Sequence, residues 1–320
     1  MYLNNCMYIS RYFSSSFNFV PKHLPCSQEA LEEVQKFVKC HQRILILSGA
    51  GISTESGIPD YRSEDVGLYA TSNKRPVQIK DFMESSKVRQ RYWARNFIGW
   101  PRFSSFLPNQ SHKIIADWES RGKVSCVVTQ NVDGLHFKAG SKNVIELHGW
   151  LVFLFIGTAF KIGCVSCSYT ITRHKFQNEL SLYNDYISLK PLSIRPDGDV
   201  EISLEEVNKF HVPECPNCGG ILKPFIVFFG DNVPKERVER VKSELASSDA
   251  LLVIGSSLSV FSAYRFVLMS AESKIPIGII NIGVTRGDKL SSFRIPARCG
   301  EVLPLVTVSD VNQIDESNTL

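Results

Sequence analysis

The chain has 320 residues, 43% of them hydrophobic and 21% charged, with a net charge of +4; this is the make-up of a globular protein long enough to bury a large core. So small a charge over this length argues for no nucleic-acid partner, and no apolar run approaches the roughly 18 residues that would argue for a membrane span. Nine cysteines, four of them in two Cys-x-x-Cys pairs, fit metal ligation in a reducing compartment better than a disulfide framework.

Residues 1–27 carry Arg11, Lys22, His23, a serine cluster at 14–16 and several aromatics, and no acidic residue appears before Glu29. That composition predicts a mitochondrial presequence, with a disordered tail as the plain alternative. Over 28–39 the apolar positions Leu31, Val34, Phe37 and Val38 recur at helical spacing. Ile44-Leu45-Ile46-Leu47 suits a strand buried on both faces. It ends in Gly49-Ala50-Gly51, where small residues let backbone N–H groups approach a phosphate, although such turns also serve plain packing. The pattern is neither G-x-G-x-x-G nor a Walker lysine loop. Gly57-Ile58-Pro59-Asp60-Tyr61-Arg62 then places a rigid turn, a carboxylate, an aromatic ring and a guanidinium within a few residues.

Further apolar runs at 124–128, 144–147, 225–229, 251–254 and 277–281 read as strands separated by helical or irregular stretches. The alternation predicts an α/β fold: a Rossmann-like, doubly wound parallel sheet with its ligands at the carboxyl ends of the strands. Gly49, Asn131, His148, Gly255 and Asn281 each end or follow such a run, which would bring them to one cleft. His148, in Glu146-Leu147-His148-Gly149, is the candidate general base, since imidazole is neutral near pH 7–8; a structural histidine is the plain alternative. Ser256 and Ser257 form a second small-residue turn, for a ligand or as a helix cap.

Between His148 and Pro224 the strand rhythm breaks, with a Pro/Gly/Asp-containing loop at 193–206. Cys164, Cys167, Cys215 and Cys218 supply four thiolates in two knuckles, the ligand set of a closed, structural zinc site; free buried cysteines or redox dithiols are the alternatives. A small module of this kind needs such a staple. The expected organisation is therefore a presequence at 1–27, a large domain from 28–149 and 219–310, a small inserted zinc-binding module at 150–218, and a tail at 311–320.

Taken in order, residues 47–62, Thr129-Gln130-Asn131-Val132-Asp133-Gly134-Leu135-His136, Glu146-Leu147-His148-Gly149 and the two cysteine pairs resemble the sirtuins, NAD-dependent protein deacylases. The resemblance runs from about Cys26 to about Val308. Residues 89–97 (Arg-Gln-Arg-Tyr-Trp-Ala-Arg-Asn-Phe) and 195–200 (Arg-Pro-Asp-Gly-Asp-Val) resemble the mitochondrial class II, sirtuin-4-type group. The resemblance implies NAD and one structural zinc ion. In the implied reaction the acyl-lysine oxygen attacks C1′ of the nicotinamide ribose, nicotinamide leaves, and His148 takes a ribose hydroxyl proton as the acyl group passes to ADP-ribose. Asn131 and Asp133 would orient the ribose, the nicotinamide amide and a water, Gln130 would hold ribose hydroxyls near the base, and Val132 is a further cofactor-binding residue. Gly49, Ala50, Gly51, Ile52, Ser53, Gly255, Ser256 and Ser257 would hold the phosphates and ribose. Pro59, Asp60, Tyr61, Arg62 and Tyr69 would cover the nicotinamide end, and Asn281, Ile282, Gly283 and Cys299 the adenosine end. Residues 228–231 and 258–261 would pin an acylated peptide by strand addition. The implied partners are acylated proteins, mitochondrial metabolic enzymes in the matrix, with no nucleic acid and no membrane. Related outcomes are mono-ADP-ribosyl transfer and lipoamide removal; an NAD or acyl-peptide binding module without catalysis is the rival of another class. Arg89, Arg91 and Arg95 are expected near the acyl group.

One departure stands out. Sirtuins place about six residues between His-Gly and the first zinc cysteine, whereas here fourteen separate Gly149 from Cys164. Removing the apolar run 150–157, from Trp150 to Gly157, restores six. This run reads as a translated splice boundary or, alternatively, as a genuine insertion.

Overall fold

The computed structural model describes residues 18–71, 76–149, 158–185, 193–194 and 200–309. Most of the expected presequence, the apolar run 150–157, most of the 195–200 motif and the 311–320 tail lie outside the described residues.

The helix expected at 28–39 is α1, Gln28–Cys40, started by the Ser27 side chain, which accepts from the Ala30 N–H. Six parallel strands follow along the chain: β1 Ile44–Ser48, β2 Val124–Thr129 and β3 Val144–Glu146, then, after the small module, β7 Ala250–Ile254, β8 Ile277–Ile280 and β9 Phe293–Ile295. Their spatial order is β9-β8-β7-β1-β2-β3. The chain winds outward from β1 to β3, returns to the middle at β7 and winds outward the other way, so the topological switch lies between β1 and β7, where ligands sit in open α/β sheets. Register levels the ends there: Ser48 pairs with Thr129 on one side and with Ile254 on the other.

Alternation along β1 builds two cores. Ile44 and Ile46 face α1 and α3 (Gln110–Ser120), packing with Val34, Val38, Ile115 and Trp118. Leu45 and Leu47 face α6 (Lys235–Ala246) and α7 (Phe261–Glu272), packing with Val241, Leu245, Phe266 and Val267. Each such fully buried side chain contributes about 1.5–3 kcal/mol. This double burial is why the strand reads as an unbroken apolar run.

The small module carries a three-stranded antiparallel sheet, β4 Lys161–Cys164, β5 Thr170–Thr172 and β6 Leu222–Pro224, in the order β5-β4-β6, with α5 Arg173–Tyr183. Its core is shared with α2, Ser86–Ser105: Trp93 of α2 packs with Ile162, Phe176, Leu180, Phe210 and Leu222.

Two expectations change. The run 225–229 is not a strand of the sheet; it makes isolated bridges, Gly149 to Ile226 and Gln78 to Phe229. It is apolar because Phe228 joins the module's core, 4.9 Å from the Phe82 ring. Strand β9 is an addition, hidden because it is a short edge strand whose Arg294 interrupts the apolar pattern and donates to the Ile282 carbonyl at 2.9 Å.

Candidate active site and metal centre

Two turns meet at the switch point. The Gly51 N–H donates to the Gly255 carbonyl at 2.8 Å, and Gly255 has φ +60°. A Cβ on Gly51 would lie 2.8 Å from that carbonyl oxygen, and one on Gly255 would lie 2.3 Å from Ile52 N. Only glycine fits this contact. Above the turns opens a cavity of about 1000 Å³ whose wall includes Ala50, Gly51, Ser53, Gly255, Ser256 and Ser257. Gly49 and Ile52 stay out of the wall: Gly49 packs on the Gly255–Ser256 turn, and the Ile52 side chain is fully buried in the core. Ser256 is no helix cap, since α7 begins only at Phe261 with Val260 as its N-cap; its Oγ accepts from Gln130 Nε2 at 2.7 Å.

The β2 end contributes a polar network. Ser53 Oγ donates to Asp133 Oδ2 at 2.7 Å, while Asn131 Nδ2 donates to Ser53 Oγ and to the Gly49 carbonyl, both at 3.1 Å. Burial raises the Asp133 carboxyl pKa; the Leu135 N–H and the Ser53 hydroxyl, both donating to it, hold the rise in check. Gln130, Asn131, Val132 and Asp133 all line the cavity.

His148 lines the same wall. Its Nδ1 lies 2.8 Å from the Gln130 carbonyl, and Nε2 lies 2.8 Å from Ser262 Oγ on α7. A carbonyl only accepts, so in the neutral ring Nδ1 carries the hydrogen and Nε2 keeps the lone pair of a base. Burial lowers the ring's pKa; the Gln130 bond opposes this and the Arg237 charge adds to it. The ring is thus neutral at pH 7 with its acceptor nitrogen defined, as general-base chemistry requires.

In the small module the sulfurs of Cys164, Cys167, Cys215 and Cys218 lie within 4.8 Å of one another, with Cys164 to Cys218 at 3.5 Å and Cys167 to Cys215 at 3.6 Å. Zn–S bonds of about 2.3 Å in a tetrahedron put sulfurs about 3.8 Å apart. The set fits a zinc ion, and four thiolates leave no open position for chemistry.

The Sir2 family model matches residues 49–262. The Drosophila melanogaster NAD-dependent protein deacylase Sirt4 is 52% identical over 286 residues, covering 89% of each chain. The human NAD-dependent protein lipoamidase sirtuin-4, mitochondrial, is 49% identical over 288 residues, 90% of this chain and 89% of that one. The chain belongs to the Sir2 family. Among solved structures, a Sir2 enzyme aligns with a TM-score of 0.66 at 28% identity, over 90% of this chain and all of that one. A Sir2 homologue bound to ADP-ribose aligns with a TM-score of 0.65 at 25% identity, over 90% of this chain and 98% of that one.

The sirtuin cavity is closed on one side by residues 57–69. The Asp60 carboxylate accepts from the N–H groups of Arg62 and Ser63 at 2.9 and 2.7 Å, so it shapes its own turn. The Tyr61 ring lies 5.8 Å from Tyr69 and 6.4 Å from Phe229, and the Arg62 guanidinium stacks on Tyr69 at 5.4 Å. Pro59, Asp60, Tyr61, Arg62 and Tyr69 all line the cavity, as do Asn281, Ile282, Gly283 and Cys299 on the far side. Asn281 Nδ2 donates to the Gly283 carbonyl at 2.8 Å, and burial pushes the Cys299 thiol pKa up, which leaves it a wall and not a nucleophile.

Toward the zinc module, Arg91 and Arg95 of α2 line the cavity. Arg89 does not: its guanidinium donates to the carbonyls of Phe82 and Met83, both at 3.0 Å. A third wall arginine, absent from the sequence reading, is Arg173 on α5. It donates through Nε and Nη2 to Asn96 Oδ1 and stacks on Trp100 at 4.6 Å, while its buried Nη1 has no hydrogen-bond partner among the described residues. Ser262 and Arg237 were missed as well. Both sit in helices whose local sequence reads as ordinary surface and core; a hydroxyl in the first turn of the apolar helix α7 was the one available signal.

Proposed function

We propose that this sirtuin uses His148 as the general base of NAD-dependent deacylation of protein lysines. The observation that carries this reading is the fixed ring, with Nδ1 held by the Gln130 carbonyl and Nε2 left as the acceptor beside a cavity of about 1000 Å³. NAD bound there supplies an activated ribose carbon that the acyl oxygen can attack as nicotinamide leaves. The glycine turns at 49–51 and 255 admit its phosphates; Ser256 and Gln130 face its ribose hydroxyls; Asn131, Asp133 and Ser53 orient the nicotinamide end. His148 takes the proton of a ribose hydroxyl, which makes that oxygen the acceptor of the acyl group. Residues 57–69 exclude water. The acylated peptide lies between 228–231 and 258–261, held by strand addition.

Arg91, Arg95 and Arg173, set among Trp100 and Phe103, favour long, branched or carboxylated acyl groups over acetyl, because a terminal carboxylate can pair with a guanidinium and acetyl carries none. Removal of lipoyl groups fits the same room, as the names of the human and bovine relatives state for those proteins. The zinc module, expected at 150–218 and with a sheet that reaches Pro224, serves as a structural insert between the two parts of the large domain. Residues 1–27 direct the chain to mitochondria and its acylated targets there, metabolic enzymes of the matrix. The test is nicotinamide release from the purified chain with a panel of acylated lysine peptides, against a protein-only control. Release without peptide, with ADP-ribose left on protein, would replace deacylation by mono-ADP-ribosyl transfer; acetyl-peptide turning over fastest would reject the acyl preference.

A further inference from the structure

We propose that Arg237 is the positioning residue of the His148 base, clamping from α6 the backbone on both sides of the ring and placing a fixed positive charge behind it. The proposal rests on His148 being the base.

Arg237 is 2% exposed, on a helix otherwise studded with solvated charges. Its Nη1 donates to the Leu147 carbonyl at 2.8 Å and to the Gly149 carbonyl. Residues 147 and 148 form a turn, closed by the Gly149 N–H on the Glu146 carbonyl at 3.2 Å, that presents the carbonyls of 147 and 149 to Arg237. One guanidinium therefore holds 147 and 149 while the His148 carbonyl accepts from the Val227 N–H at 2.6 Å on the other side. Leu147 N–H is fixed in turn by the Thr129 carbonyl at 2.7 Å. With both sides of 147–149 pinned, the Cα–Cβ direction of His148 is set before any ligand arrives. Both bonds leave one nitrogen, Nη1, whose two N–H groups are fixed in the guanidinium plane; the freely rotating ammonium of lysine holds no such fixed pair.

The charge acts as well as the geometry. Burial lowers the Arg237 pKa to about 10, with Glu146 opposing the fall, so the guanidinium stays cationic wherever the enzyme works. Other charged groups of the surrounding elements are Asp133 after β2, Glu146 in β3, Lys223 in β6 and Arg265 in α7; Arg237 is the one whose field bears on the imidazole, disfavouring its protonated form. The same side chain thus aims the base and keeps it unprotonated.

The experiment compares the full chain with Arg237→Gln and Arg237→Lys. The His148 ring protons are followed by NMR titration, assigned by their loss in His148→Asn, and kcat/KM for nicotinamide release is measured against pH. Arg237→Gln should raise the titration midpoint of His148, move the acidic limb of the rate profile up with it, and lower the plateau rate by about tenfold to a hundredfold through misplacement. Arg237→Lys should keep the wild-type midpoint while losing rate. Glu146→Gln, which leaves the Arg237 charge less compensated, should lower the midpoint; it decides the matter if Arg237→Gln fails to fold. An unmoved midpoint in Arg237→Gln, or a midpoint in Arg237→Lys shifted equally far, overturns the proposal. A midpoint that moves while the acidic limb of the rate stays put upholds the clamp and instead overturns His148 as the base.

Discussion

Replacing Gly255 by alanine tests whether the meeting of two strand-end turns builds the NAD cleft. At φ +60° the new side chain incurs the left-handed penalty of about 1–2 kcal/mol. Its Cβ would lie 2.3 Å from Ile52 N and 2.7 Å from Gly51 C. These are backbone atoms that no rotamer change can move, and the closer is about 1 Å short of van der Waals separation, which adds an overpacking cost of about 1–3 kcal/mol. The total of about 2–5 kcal/mol is recovered only by pushing the 49–52 turn aside, the very backbone proposed to face the phosphates. NAD affinity should fall at least about tenfold, since misplacement by about 1 Å costs up to two orders of magnitude. Gly140→Ala is the control. Gly140 also has positive φ, +104°, but a Cβ there meets nothing within 4 Å among the described residues; it should lose the conformational term alone and keep NAD binding. Calorimetric titration with NAD and thermal melts of both variants read the two effects apart. Wild-type NAD affinity in Gly255→Ala, with a Tm loss no greater than in Gly140→Ala, would refute the reasoning.

His148→Tyr should keep NAD binding and lose deacylation by about two to four orders of magnitude; near-normal turnover in the purified variant would show the wrong base was chosen. Cys215→Ser removes a ligand that is itself 3% exposed and packed in the module's core, so the module should unfold and the zinc content, expected at about one ion per chain by mass spectrometry, should fall to none; retained activity without zinc would reject the site. Stability should fall as pH drops below about 6.5. Burial lowers the pKa values of His112, His136 and His148, that of His136 to about 4, so the unfolded chain binds protons that the fold refuses. His136 alone removes about 2 kcal/mol by pH 5. Asp133, its pKa raised by burial, works in the opposite direction, in the range between its unfolded and folded values. A urea midpoint unchanged from pH 7.5 to 5 would contradict this balance.

Local chemistry was enough to read the strands β1, β2, β7 and β8, because each is largely buried on both faces and so written as a mostly apolar run, with Ser125 of β2 as an interruption. The glycine turns, the Asn-Val-Asp segment and the paired cysteines were legible for the same kind of reason: close backbone approach, buried polar contact and metal ligation each demand particular residue types at short spacing. Residues that act across long sequence separations left no such mark. Arg237 looks like one of several charges in a solvated helix, and only packing reveals that it shares the face of Val241 and Leu245 and reaches carbonyls ninety residues earlier. Ser262 pairs with His148 over 114 positions, and Arg173 enters the cavity wall because α5 docks on α2. The run 225–229 misled because apolar residues serve an aromatic core as readily as a sheet. Sequence alone therefore determined the family, the sheet and the chemical groups on offer. Tertiary structure decided which nitrogen of His148 is the acceptor, what holds the ring there, and which arginines line the cavity, since those depend on side chains brought together by the docking of elements that no local pattern records.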